Sequence, residues 1–126
     1  EYLIRLSKKL EIENIVNFHG EVEDPFSLLS EADTFVLPSL SEGTSRSSME
    51  ALFLGIPCIL REIDGNSELI ESGMNGALFQ SEKDISQAMI DWAHISRAKK
   101  LYKSILLKNN FRQEHVIDLT IKTLGL

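Results

Sequence analysis

The spacing of apolar residues along this chain changes period repeatedly, and each change marks an element. Leu3, Leu6 and Leu10 recur at helical spacing, so residues 1–10 read as a helix. Short apolar runs at 15–19, 34–37, 56–60 and 77–80 read as strands. Between them, 25–30 reads as a helix. The stretch 49–54 reads as a second, stopped by Gly55 and Pro57, and 67–71 as a short third, ended by Gly73. From Ser81 onward everything reads as helix. Ser81 and Asp84 resemble a capping box with the shorter acid, and Ile85, Met89, Trp92 and Ile95 form one stripe. Two more helices are expected, at about 98–108 and 112–124.

Strands separated by helices imply a mostly parallel sheet with helices on both faces, an α/β three-layer arrangement with a helical C-terminal segment. In such sheets every strand-to-helix loop surfaces at the carboxyl edge, and ligands bind there. On that expectation three successive loops gather Gly20, Glu42, Thr44, Ser45, Glu50, Gly65 and Glu68 about one cleft.

One of those loops carries most of the chemistry. The stretch Ser41-Glu42-Gly43-Thr44-Ser45-Arg46-Ser47-Ser48-Met49-Glu50-Ala51 sets two glutamates with seven residues between them, at a turn between a strand and a helix. Gly43 permits close backbone approach, and hydroxyls stand at Thr44, Ser45, Ser47 and Ser48. Unpaired amides and the macrodipole at a helix start favour an anion, with phosphate the obvious guest. Carboxylates suit hydroxyl-rich groups at either end of a diphosphate, so the parts together describe a nucleotide sugar. The plainer reading makes Ser41 or Thr44 a helix cap, Glu42 a complement to the dipole, and Glu50 a solvated helical residue.

Further blocks bear on the choice. Pro38-Ser39 through Ala51-Leu52, followed by Gly55-Ile56-Pro57-Cys58-Ile59-Leu60, resembles the "PS, EG, seven-residue spacer, EA, G-x-P" block of retaining GT-B glycosyltransferases, family four (group 1) in particular. Val16-Asn17-Phe18-His19-Gly20 resembles that family's "v-x-F-x-G" strand, and Ala32-Asp33 its "a-D". Asp64-Gly65-Asn66-Ser67-Glu68-Leu69-Ile70 is similar to "G-G-x-x-E-l-i", and Gly73-Met74-Asn75-Gly76 to "d-G-x-n-G". The resemblance runs from about residue 15 to about residue 95.

It implies a Rossmann-like donor-binding domain, residues 1–126 forming part of the GT-B C-terminal domain without the acceptor-binding N-terminal one. Glu50 would hold the ribose hydroxyls, and Glu42 would sit against the donor sugar as the catalytic carboxylate. Phosphate and sugar would rest on the backbone and side chains of Gly43, Thr44, Ser45, Arg46, Ser47 and Ser48, with Gly20 and Gly65 also lining the donor. Such enzymes use no metal and no cofactor, only a nucleotide-diphosphate sugar as donor. They build polysaccharide, lipopolysaccharide or glycolipid, and the segment alone is expected to be inactive.

Two departures stand out. Asp64 replaces the first glycine of the pair, and Arg61 stands where a small residue is common. Two rival readings remain: another GT-B enzyme, such as a sugar phosphorylase or epimerase, or a non-catalytic α/β binding module.

Composition narrows the remaining choices. At 126 residues the chain suits one domain, and with 43% hydrophobic residues it has no apolar run long enough to span a membrane. No signal-peptide pattern opens it, and one cysteine, Cys58 in an apolar run, reads as a small buried hydrophobe in a reducing cytoplasm. The net charge of −6 divides into −11 before Arg97 and +5 from Arg97 onward. So acidic a body argues against nucleic acid. The basic tail reads as a solvated face, a surface for an acidic domain, or a patch leaning on anionic lipid at the cytoplasmic side of a membrane. His19 reads as structural, His94 and His115 stand apart, and no metal set, G-x-S-x-G elbow or Walker motif is present.

Overall fold

A computed structural model of the chain describes residues 1–98 and 105–113. In chain order these form α1 (Tyr2–Lys9), α2 (Pro25–Ser30), β1 (Phe35–Leu37), α3 (Arg46–Phe53), β2 (Cys58–Arg61), α4 (Asp64–Leu69), β3 (Gly76–Phe79) and α5 (Glu82–Ala98), then a 3-10 turn at Asn109–Phe111. The strands make one parallel sheet in the order β1-β2-β3, with Phe35 opposite Cys58 and Cys58 opposite Gly76.

The middle strand explains why the sheet is covered on both sides. Cys58, Ile59 and Leu60 are all fully buried, as a central parallel strand with helices above and below requires. Alternation sends Cys58 and Leu60 to one face, where they meet Ala51 and Leu52 of α3 and Leu69 of α4. It sends Ile59 to the other, with Phe79 and Trp92 of α5. Burial pushes the Cys58 thiol up to about 12, so it stays protonated and packs as a small apolar group.

Several local signals act as the sequence suggests. The Asp24 carboxylate accepts from the Ser27 amide at 3.1 Å and Pro25 opens α2, so that helix is capped where it starts. Ser81 and Asp84 form the expected reciprocal pair: the Asp84 amide donates to Ser81 Oγ, while the Ser81 amide and hydroxyl donate to the Asp84 carboxylate. The Ser81 side-chain bond, then its backbone bond, hold the Asp84 carboxyl below the usual range. Trp92 is buried as the anchor of α5, whereas Met89 of the same stripe is half exposed.

Three expectations need correction. Residues 15–19 form no strand. The Ile12 amide bonds back to Ser7 O and the Ile15 amide to Ile12 O, so the chain turns on itself after α1. Ile15 and Phe18 are exposed, and β1, the strand they would have paired beside, is only half-buried.

The helices after β1 and β2 start earlier than 49 and 67. Ser45 rather than Ser41 or Thr44 caps α3, and the Asn66 and Ser67 amides bond to Ile63 O at the start of α4.

Residues 105–108 are not helical. The Leu106 and Leu107 amides donate to Leu52 O, Lys108 Nζ donates to Glu68 O and Ile70 O, and Asn75 Nδ2 bridges Leu69 O and Leu106 O. The backbone amides that a helix would have used internally instead satisfy the end of α3, and the Lys108 and Asn75 side chains satisfy carbonyls at the end of α4. Arg112 likewise donates to Leu107 O, so these two tail cations serve carbonyls. The rest of the two expected late helices, residues 99–104 and 114–124, falls outside the described residues.

Leu107 is buried in the α3 side of the core. Leu107→Ala is expected to lower stability by about 2 to 5 kcal/mol, read as a shift in the urea midpoint at constant slope. A change under about 0.5 kcal/mol would show that the segment 105–108 carries none of the core.

Candidate functional site

Residues 38–45 connect β1 to α3 and leave from the carboxyl edge of the sheet. At the end of this loop Ser45 accepts the Ser48 amide at 3.3 Å and the Ser48 hydroxyl at 2.9 Å, with Ser47 Oγ at 3.2 Å. Ser45 and Ser48 are buried, so their hydroxyls are engaged in holding the turn. The amides of Arg46 and Ser47, at the first two helical positions, have no intrahelical acceptor. Gly43, Thr44 and Arg46 are exposed, and Glu42, Ser47 and Glu50 are half-buried. Among the described residues neither the Glu42 nor the Glu50 carboxylate has a protein partner.

A second loop meets the first. Gly65 lies in the first turn of α4, directly after β2, and its Cα faces Gly43 so closely that an added methyl would fall inside the Gly43 carbonyl and 2.9 Å from the Thr44 amide. Only a residue without Cβ lets the two backbones touch. This contact puts Glu42, Gly43, Thr44 and Gly65 at one edge of the sheet. Gly20 is different. It sits in the exposed coil between α1 and α2 with φ +65°, and the strand meant to carry it to this edge does not form.

In the sequence Arg61 stands out only as an unusual residue. Its Nε donates to Pro38 O at 3.3 Å, its Nη1 to Gln80 O at 3.1 Å, and its guanidinium lies 5.1 Å from the Phe79 ring centre. The available signal was an arginine closing an apolar strand run. Asn66, which nothing in the sequence marks out, is fully buried: its Nδ2 donates to Arg61 O at 3.1 Å, while its Oδ1 lacks a partner among the described residues.

His19 and His94 are exposed, and His115 lies outside the described residues. Among the described residues no group of three or more His, Cys, Asp or Glu side chains is placed to hold a metal ion. A shallow depression of about 250 Å³, lined by Asp33, Thr34, Val36, Ile59, Met89 and Ala93, lies on the α5 side of the sheet, away from the Gly43–Gly65 contact.

The family model for "Glycosyl transferases group 1" matches residues 1–109. The chain belongs to the group 1 glycosyl transferase family. Protein CapJ of Staphylococcus aureus is 29% identical over 118 residues, 91% of this chain and 27% of that protein. The UDP-Gal:alpha-D-GlcNAc-diphosphoundecaprenol alpha-1,3-galactosyltransferase of Escherichia coli is 41% identical over 54 residues, 43% of this chain and 14% of its own. The Escherichia coli O-antigen biosynthesis glycosyltransferase WbnH is 42% identical over 85 residues, 67% of this chain and 24% of its own. The chain spans 27% or less of the length of these relatives. In this group 1 glycosyl transferase domain the β1–α3 loop and the start of α4 meet at the carboxyl edge of the parallel sheet.

Proposed function

We propose that the chain is the donor-binding part of a longer glycosyltransferase, which moves a sugar from a nucleotide diphosphate to a polysaccharide, lipopolysaccharide or glycolipid acceptor with retention at the anomeric carbon. The observation that carries this reading is the Gly43–Gly65 backbone contact. It brings the Glu42 loop and the start of α4 together at one edge of a parallel sheet, beside the open amides of the α3 start, with Glu50 one turn further along that helix.

Each residue then has a distinct task. The amides of Arg46 and Ser47, with the Arg46 guanidinium beside them, receive the diphosphate, whose negative charge grows as the bond from the anomeric carbon to the phosphate oxygen breaks. The Glu50 carboxylate, one turn into α3, accepts bonds from the paired ribose hydroxyls. The Glu42 carboxylate, at the loop end, accepts bonds from the sugar and faces the carbon that becomes positive. Ser45 and Ser48 hold the turn from within and act on the donor through the backbone. Gly20 keeps a donor contact in this reading only if the coil at 15–20 reaches the edge once the rest of the enzyme is present.

The name of the Escherichia coli galactosyltransferase supports a UDP-linked donor and a lipid diphosphate acceptor. Transfer at the cytoplasmic face of a membrane is part of the same proposal. Among the described residues no helix is long and apolar enough to cross a membrane. The acceptor is assigned to a separate N-terminal domain. No metal, cofactor or nucleic acid has a place in the reading.

Glu50 supplies the test. In the complete enzyme, Glu50→Gln keeps the shape and loses charge-assisted bonds, weakening nucleotide binding by about 1.5 to 3 kcal/mol in calorimetry with UDP and GDP. Unchanged affinity for whichever nucleotide the wild type binds would return Glu50 to the role of a solvated helical residue.

A further inference from the structure

A carboxylate on a loop acts on a reacting carbon only if the loop holds still, and the β1–α3 loop is fastened at both ends. At its far end Ser45 caps α3 and Gly43 lies on Gly65. At its near end the first residue beyond β1 is Pro38, and Pro38 O accepts Arg61 Nε at 3.3 Å. The same guanidinium donates to Gln80 O, the first carbonyl beyond β3, at 3.1 Å. Arg61 ends the middle strand, so its one planar group spans the carboxyl ends of all three strands where the sheet ladder stops. Arginine suits this place because its fork carries several N–H donors in fixed directions, whereas lysine offers one compact ammonium.

The direction of approach separates this role from donor binding. Arg61 stands opposite Phe79 in the register and lies over its ring, on the face that Ile59, Phe79 and Trp92 share with α5. The Glu42 loop runs into α3, which packs on the other face against Cys58 and Leu60. Arg61 thus reaches the base of the loop from behind.

We propose that Arg61 is a positioning residue for sugar transfer: it fixes the base of the loop that carries Glu42 and does not touch the donor. The inference rests on the reading of Glu42 given above. Loss of the tie leaves the Glu42 carboxylate free to drift, and a displacement of about 1 Å costs on the order of 10²-fold in rate.

The test is a kinetic cycle in the complete enzyme with Arg61→Ala, Glu42→Ala and the double variant. The donor is whichever of a panel of UDP- and GDP-linked hexoses the wild type turns over, and all rates are taken well below the melting temperature. Arg61→Ala is expected to lower kcat by about 10- to 100-fold with the donor KM moving less than about threefold, and to add nothing once Glu42 is alanine. Arg61→Lys, which keeps the charge and the stem, should recover part of the loss. It enters the same cycle if Arg61→Ala does not fold. Multiplicative losses in the double variant, or wild-type kcat in Arg61→Ala beside a slow Glu42→Ala, would overturn the positioning role and leave Glu42 in place. Wild-type kcat in Glu42→Ala would instead overturn the reading of Glu42, and the inference with it.

Discussion

Gly65→Ala is expected to destabilise the domain and to disable the site, against what helix propensity alone forecasts. Gly65 lies within α4 with no positive φ, where alanine in place of glycine ordinarily gains roughly 0.5 to 1 kcal/mol. Here the added methyl meets the Gly43 carbonyl and the Thr44 amide, which are backbone atoms and cannot rotate away as a side-chain tip would. The loop or the helix must move, and overpacking of this kind costs about 1 to 3 kcal/mol. Urea denaturation of the variant should therefore show a lower midpoint. In the complete enzyme the displaced Glu42 loop should cut turnover by on the order of 10²-fold. An unchanged or raised midpoint would mean that the two loops do not touch, and the common edge on which the site reading depends would go with them.

Glu42→Ala carries the second large effect. If the carboxylate faces the anomeric carbon, its charge is stabilising chiefly when positive character develops there. Its loss should then fall on turnover more than on donor affinity. A kcat lower by on the order of 10²-fold, with nucleotide affinity within about threefold, is the expected split. Measured with radiolabelled donor, a variant that loses affinity and keeps kcat would make Glu42 a ground-state binding group. Paired with Glu50→Gln, which should weaken nucleotide binding, the two carboxylates are predicted to separate along the kinetic axes as they separate along the chain.

The parts legible in the sequence are those whose cause is local. Asp24-Pro25 and Ser81 with Asp84 place helix starts because a side chain one turn away answers an orphan amide. Cys58-Ile59-Leu60 reads as a buried strand because only a strand covered on both faces tolerates an unbroken apolar run. The glutamate spacing and the glycine-proline block mark the loop and its family by residue type alone. The same local logic misplaced residues 15–19 and 105–108. Their apolar spacing suits a strand and a helix. What such a segment becomes depends on the partner it finds, and the Leu52 carbonyl took the amides of Leu106 and Leu107.

The alternation of strands and helices, the parallel sheet this implies, and the loop on which the two glutamates lie all follow from the order of residues in the chain. Periodicity and capping are properties of neighbours in the chain. Tertiary structure alone decided that Gly65 lies on Gly43, 22 residues away, and that Arg61 ties Pro38 to Gln80 across three strand ends. Both depend on register and on which face of β2 a side chain leaves. Those follow from how the strands pair across the sheet, which no local pattern specifies.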